Sequence, residues 1–189
     1  MNSRVRLLMC VAGFMGMLLV VSACHRNDVE TNPYAKLSKA DMKYQNIQLV
    51  NFTITPAGVQ ETDNPQGVLA EAQSTCAAAL NDTKLFDSVK NVSSPEQTPS
   101  ALIVRGELTK LRIVGGGARF WLGGMAGKSE MAVYVKLIDA STGQVITERD
   151  IRDDSNPTAG AYSMGATDRA LPVSVGNLIA DLVINASRK

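Results

Sequence analysis

Two apolar runs of period two, joined by a tight turn, constrain this chain more than any other stretch. Met131, Val133, Val135 and Leu137 alternate with Ala132, Tyr134, Lys136 and Ile138, and the chain returns from Gln144 to Ile151 through Val145 and Ile146. Alternation places successive side chains on opposite faces of a strand. Between the runs stands Asp139-Ala140-Ser141-Thr142-Gly143. An Asp hydrogen-bonds its own backbone two residues on, and Gly takes positive φ without steric cost, so this is a turn. An antiparallel hairpin is expected, and the other elements must pack around it.

Asn46 to Thr55 also alternates and is rich in Val, Phe, Ile and Thr, which argues a strand closed by Pro56-Ala57-Gly58. Asp63-Asn64-Pro65 resembles a helix entry, a capping side chain followed by Pro at an early helical position. Leu69, Ala72, Cys76, Ala79 and Leu80 then repeat at helical spacing up to Asn81-Asp82-Thr83. A short strand is expected within 85–92 and a loop over 93–100. Ala101 to Val114 is the longest β-like run, with Leu102, Val104 and Leu108 on one face and Ile103, Leu111 and Ile113 on the other; Gly106 within it marks a bulge or a close neighbouring backbone. Residues 152–167 are polar and read as a loop. Leu171, Val175, Leu178, Ile179, Leu182 and Ala186 predict a final helix, with Pro172 tolerated near its start. Gly176 in that helix costs about 1 kcal/mol relative to Ala. The order β-α-β-β-β-β-α predicts a single α+β domain, a mainly antiparallel sheet of about five strands with two helices on one face.

The N-terminus has a different character. Arg4 and Arg6 precede an apolar run from Leu7 to Val21, which leads into Ser22-Ala23-Cys24. A basic start, a short apolar core and small residues before a cut define an export signal. A membrane-spanning helix usually needs about 20 apolar residues, more than this run offers. The run alone is compatible with an uncleaved anchor; the tetrapeptide Val21-Ser22-Ala23-Cys24 argues against one. It resembles the lipobox of bacterial lipoproteins, which implies cleavage before Cys24 and acylation of its thiol and new amino group with palmitate-class chains. One such chain binds a bilayer only marginally, and stable anchoring needs more than one. In that family pattern an Asp after the cysteine favours the inner membrane; His25 leans the expectation toward the periplasmic face of the outer membrane. The expected organisation is a signal peptide over 1–23, a flexible tether over 24–44 and a periplasmic domain over 45–189.

Composition closes off several classes of function. The chain has 19 Lys and Arg, of which Arg4 and Arg6 leave with the signal, against 18 Asp and Glu, so the mature formal charge is −1. That balance gives no electrostatic reason to expect nucleic acid as a partner. The one histidine is His25, beside the anchor, which removes Ser-His-Asp, Cys-His and histidine-based zinc chemistry from the folded domain. Of Cys10, Cys24 and Cys76, only Cys76 remains as a free thiol, on the apolar stripe of a helix, where a small core residue is the favoured reading over a reactive thiol. Asp153-Asp154-Ser155-Asn156 lacks the glycine and the closing glutamate of a calcium loop. Glu148, Asp150, Asp153 and Asp154 alternate with Arg149 and Arg152 and read as a solvated strand end. No enzyme, cofactor or metal is expected.

The stretch 115–129 holds six of the fifteen glycines and the only tryptophan, which sets it apart from the strands around it. Gly124-Met125-Ala126-Gly127-Lys128-Ser129 ends like a phosphate-binding loop, but the required first glycine falls on Leu122, and Lys128 leads into a strand, so no nucleotide is expected. Two readings of the stretch stand level. Phe120, Trp121, Leu122 and Met125 form an exposed apolar patch for a partner or a lipid surface, with Arg119 pairing with a partner carboxylate or covering Trp121, or the glycines make a wide turn and Trp121 folds back into the core.

Residues 101–149 resemble a group of uncharacterised bacterial lipoproteins that share a domain of unknown function. The resemblance rests on the apolar strand Ala101–Val114, on Arg119 in a glycine-rich loop, on Gly124-Met125-Ala126-Gly127-Lys128-Ser129, and on Asp139-Ala140-Ser141-Thr142-Gly143. It implies an envelope location and no assigned reaction. The element order is also similar, at the level of fold, to the periplasmic domain of the curli-secretion lipoprotein, and fold alone carries no activity. The sequence thus predicts a non-enzymatic lipid-anchored lipoprotein that binds an envelope protein or self-associates. The alternative is an oligomeric subunit of a secretion-type pore. Barrel strands need about 9–11 residues each, more than the insert 115–129 supplies for two.

Overall fold

The computed structural model describes residues 33–59, 64–114, 116–122, 125, 127–156 and 166–189. The signal peptide, Cys24 and the first part of the expected tether lie outside the described residues, as does 157–165 of the polar loop. Pro33–Lys189 forms one unit.

The strands are β1 (Asn46–Val50), β2 (Thr53–Ile54), β3 (Ser88–Val92), β4 (Ala101–Arg112), β5 (Glu130–Asp139) and β6 (Val145–Asp154). The helices are α1 (Pro65–Asp82), the short α2 (Gly116–Leu122), the single turn α3 (Ala166–Arg169) and α4 (Leu171–Ser187). The sheet order is β3-β1-β4-β5-β6, with β2 continuing beside β4. β4–β5 and β5–β6 are antiparallel, the expected hairpin. β1 runs parallel to both β3 and β4, and β2 runs parallel to β4. The sheet is therefore mixed, and the expected mainly antiparallel arrangement holds for its β4–β5–β6 half. The cause is connectivity. An 18-residue helix between β1–β2 and β3 carries the chain back to the starting end of the sheet, so β3 must run alongside β1 in the same direction.

α1 begins as the sequence predicts. The Asn64 side-chain oxygen accepts from the Gly67 N–H at 2.9 Å, and Pro65 takes the first helical position, where its missing N–H costs nothing. Its buried face is Leu69, Ala72, Cys76 and Leu80. α4 buries Leu171, Val175, Ile179, Val183 and Ile184; Leu178, expected on that face, is exposed. The buried stripe runs instead through Gly176 and Ala180, because α4 packs on α1 as well as on the sheet and needs small residues at the contact. A Cβ on Gly176 would stand 2.5 Å from the Ala72 carbonyl oxygen and 2.8 Å from Thr75 Cβ. The glycine lets the two helices touch.

The core lies between this helical layer and one face of the sheet, and Ile47, Leu49, Leu102, Val104, Val133 and Val135 are fully buried there. Each such side chain stabilises by roughly 1.5–3 kcal/mol relative to exposure. Two irregularities change the expected facing. The ladder shifts between Leu108 and Lys110, so Leu111 joins Leu108 on the helix side, although simple alternation assigned it to the opposite face. The run 46–55 breaks at Asn51–Phe52, and the Phe52 ring lies over Gly106, 2.7–2.8 Å from where a Cβ would be. Gly106 thus accommodates a neighbouring side chain, while the bulge falls three residues later.

The end of the expected tether belongs to the fold. Met42 and Tyr44 are fully buried, and the Tyr34 hydroxyl donates to Asp181 of α4 at 2.7 Å. The Lys43 N–H donates to the Ser187 carbonyl at 2.6 Å, the Lys189 N–H donates to the Asp41 carbonyl at 3.0 Å, and Met42 bridges Arg188. A polar sequence with single apolar residues carries no periodicity, which is why 33–44 reads as tether.

Candidate docking site

The face of the sheet away from the helices carries charge. Lys136 pairs with Glu148 at 2.8 Å, Lys110 with Glu130 at 2.9 Å and Lys128 with Asp154 at 2.6 Å; Arg152 pairs with Asp150, and Tyr134 donates to Glu148. The Lys136 ammonium, followed by the Tyr134 hydroxyl, holds the Glu148 carboxyl below its ordinary range, and the hydrogen bond to Glu148 raises the Lys136 pKa in turn. A shallow groove of about 460 Å³ crosses this face, lined by Thr53, Arg105, Glu107, Tyr134 and Lys136 among others. Of its lining charges, Lys136 pairs with Glu148 and Glu107 accepts from the Thr55 hydroxyl, exposed contacts of the kind a solvated face carries.

The turn at 139–143 is ordered by its first residue. Asp139 Oδ1 accepts from the Ser141 N–H at 3.0 Å, the Ser141 hydroxyl at 2.6 Å and the Thr142 N–H at 3.1 Å, while Oδ2 accepts from the buried Tyr44 hydroxyl at 3.0 Å. The Ser141 hydroxyl, then Tyr44 and the two N–H groups, hold the carboxyl far below its ordinary range against the effect of burial. Gly143 takes φ 72°. The sequence predicted the turn but not Tyr44, whose position outside any periodic run gave no signal.

At the opposite end of β4 and β5 a second polar cluster closes the strands. The Ser129 hydroxyl accepts from the Val114 N–H at 2.8 Å, the Ser155 hydroxyl accepts from the Ser129 N–H at 3.1 Å, and Ser155 donates to the buried Asp168 at 2.5 Å. Lone serines and an aspartate on three separate segments leave no mark in the sequence. The cluster fixes the base from which the 115–129 insert projects. Gly127 at that base has φ 88° and faces Arg112, whose Nη2 lies 3.0 Å from where a Cβ would be.

On that base sits α2, which ends in Trp121 and Leu122. Trp121 is 82% exposed, Leu122 55% and Met125 89%. Trp121 therefore does not fold back into the core. Arg119 and Phe120 belong to the same short helix, and their side chains lie outside the described residues. Lys128 passes directly into β5, as the sequence predicts. Cys76 is buried, and burial pushes its thiol up to about 12, so it is a core residue. Among the described residues no helix is long and apolar enough to cross a membrane, and no group of three His, Cys, Asp or Glu side chains gathers to hold a metal.

Two solved structures show the same fold. A PelC dodecamer from Paraburkholderia phytofirmans is 16% identical, with 78% of this chain and 90% of that one covered at a TM-score of 0.50. A protein of family DUF330 from Xanthomonas campestris is 11% identical, with 76% and 88% covered at a TM-score of 0.52. No curated protein matches the sequence. The family described as "Domain of unknown function (DUF4410)" matches residues 34–157, a span that takes in the ordered 34–44 segment, the insert and the Asp139 turn, and the chain belongs to that family.

Proposed function

We propose that this chain is a non-enzymatic lipoprotein of the bacterial envelope, held to a membrane through Cys24, whose α2 tip docks on a protein partner. The observation that carries this reading is the cluster of Trp121, Leu122 and Met125, three large apolar side chains exposed together on an ordered base. Exposing them leaves apolar surface in water, which a monomer with no partner gains nothing by keeping. Tryptophan is also among the residues most enriched where binding energy concentrates.

The position of the tip favours a protein over the anchoring membrane. The chain enters the fold beside the start of β4, where Gln45 N–H bonds Ser100 and Lys43 N–H bonds Ser187. The tip stands beyond the end of β4, a 12-residue strand of about 40 Å at roughly 3.3 Å per residue. Residues 43–45 lie near one end of β4, and the apolar patch is displayed beyond the other. Self-assembly is the second use of such a surface; PelC, which has this fold, is a dodecamer. The pore alternative is weakened because 116–122 is helical and gives the insert no pair of barrel strands.

The test is crosslinking in intact envelopes, comparing the wild-type chain with a Trp121→Ser/Met125→Ser double variant. Both side chains are exposed, so the fold should survive, and circular dichroism checks this. Specific adducts are expected to disappear from the variant. Adducts unchanged in identity and yield would refute the docking role of the tip.

A further inference from the structure

We infer that β6 is a homodimerisation edge, pairing antiparallel with β6 of a second copy of this chain about a two-fold axis at Ile151. This goes beyond the docking role of the tip and does not depend on it.

β6 is the last strand of the sheet, and among the described residues no further strand pairs with it. Its free side follows from the ladder with β5. The Ser155 N–H donates to the Ser129 carbonyl. Antiparallel pairs alternate between bonded and non-bonded, so Asp153, Ile151 and Arg149 turn their backbone groups toward β5. Glu148, Asp150, Arg152 and Asp154 therefore point their N–H and C=O groups outward along the edge. Only the Asp154 N–H among these is occupied, by the Asp153 side chain at 2.8 Å.

Protein edges are commonly blunted by charge, and protective charge has no need to match itself. Here the signs do match, in one register. With Ile151 opposite Ile151, Asp150 faces Arg152 and Arg149 faces Asp153, each twice by symmetry. The one like-charged contact, Glu148 with Asp154, is already neutralised within each copy by Lys136 and Lys128. Centring on Asp150 opposes two aspartates, and centring on Arg149 or Arg152 opposes two arginines and sets acid against acid beside them. The Ile151 register also sets the outward-pointing residues opposite one another, so the unpaired backbone groups bond across the axis. Arg149, Asp150 and Arg152 are exposed in the single chain, and the Asp150–Arg152 pair made within each copy would be exchanged for the same pair made across the axis.

The register makes a sharp geometric prediction. Residues at the axis in a non-bonded antiparallel pair have Cα atoms about 4.5 Å apart, within disulfide range, whereas Arg149 lies four residues from its own symmetry mate, roughly 13 Å away and beyond it. The full-length chain carrying Ile151→Cys is expressed in envelopes, mildly oxidised and run on a non-reducing gel. A dimer band is expected for Ile151→Cys and none for Arg149→Cys. Ile151 is partly buried, so a second measurement leaves it intact. Light scattering on the detergent-extracted wild-type chain should give a dimer, Arg152→Asp should weaken association about tenfold, and the swap Asp150→Arg/Arg152→Asp should restore it. A monomeric wild-type chain, an Arg149→Cys band as strong as that of Ile151→Cys, or a swap that fails to rescue would each overturn the inference.

Discussion

Replacing Gly176 by Ala sets two effects of opposite sign against each other, and the structure decides which prevails. In an isolated helix the change is favourable by about 1 kcal/mol, because glycine loses the most backbone freedom on folding. In α4 the new methyl would stand 2.5 Å from the Ala72 carbonyl oxygen and 2.8 Å from Thr75 Cβ. Neither atom can rotate away, since one is backbone and the other is the first side-chain carbon of α1. The helices must separate, which costs about 3 kcal/mol at the upper end of overpacking effects. The expected net loss is about 2 kcal/mol. Urea denaturation of the mature chain carrying Cys24→Ser measures it, and with a slope near 2 kcal/mol/M the midpoint falls by about 1 M. Gly117 in α2 is the matched control, because a Cβ there meets nothing within 4 Å. Gly117→Ala should leave the midpoint unchanged or raise it slightly. A midpoint that rises for Gly176→Ala would show that α1 and α4 do not cross at this distance and that the argument from close contact is wrong.

Other expectations are simpler. Asp139 has a folded-state pKa below its unfolded value, so its contribution is present above about pH 4 and is lost as pH falls through that range. Asp139→Asn should cost about 1–3 kcal/mol at pH 7 and flatten the fall in stability below pH 4, read from denaturation midpoints at stepped pH. Cys76 should resist a soluble maleimide in the folded chain and react at once in denaturant, because its thiol is buried and its pKa is pushed up to about 12; labelling followed by mass spectrometry decides this. Asn64→Ala removes the cap on α1 and should lower stability by about 1 kcal/mol, whereas Asn64→Asp should keep most of it, by thermal melts.

What could be read in the sequence was whatever repeats. The 131–151 hairpin, the α1 stripe through Cys76 and the Asn64-Pro65 entry all show a period or a fixed spacing, and each stands where expected. Direction was harder. Alternation tells which face a residue takes and says nothing about its neighbouring strand, so the parallel β3–β1–β4 half stayed hidden. Single-residue irregularities defeated simple alternation at Leu111, and a contact with a second helix displaced the α4 stripe from Leu178 to Gly176 and Ala180. At the tip, composition singled out Trp121 and Met125, but hydrophobicity alone cannot separate a side chain displayed to a partner from one folded inward.

The clasp between residues 41–43 and 187–189 has a mechanical consequence. Tension drawn through the N-terminal segment reaches the Tyr34–Asp181 bond and this clasp before any strand of the sheet. These contacts open one after another, like a zipper pulled from its end, while β1 lies behind them, held by β3 along its whole length and by β4 over residues 46–49. Peeling residues 33–44 free would add roughly 40 Å of slack at about 3.3 Å per residue. A domain pulled through its N-terminal segment can in this way lengthen its own leash under load before its sheet gives way.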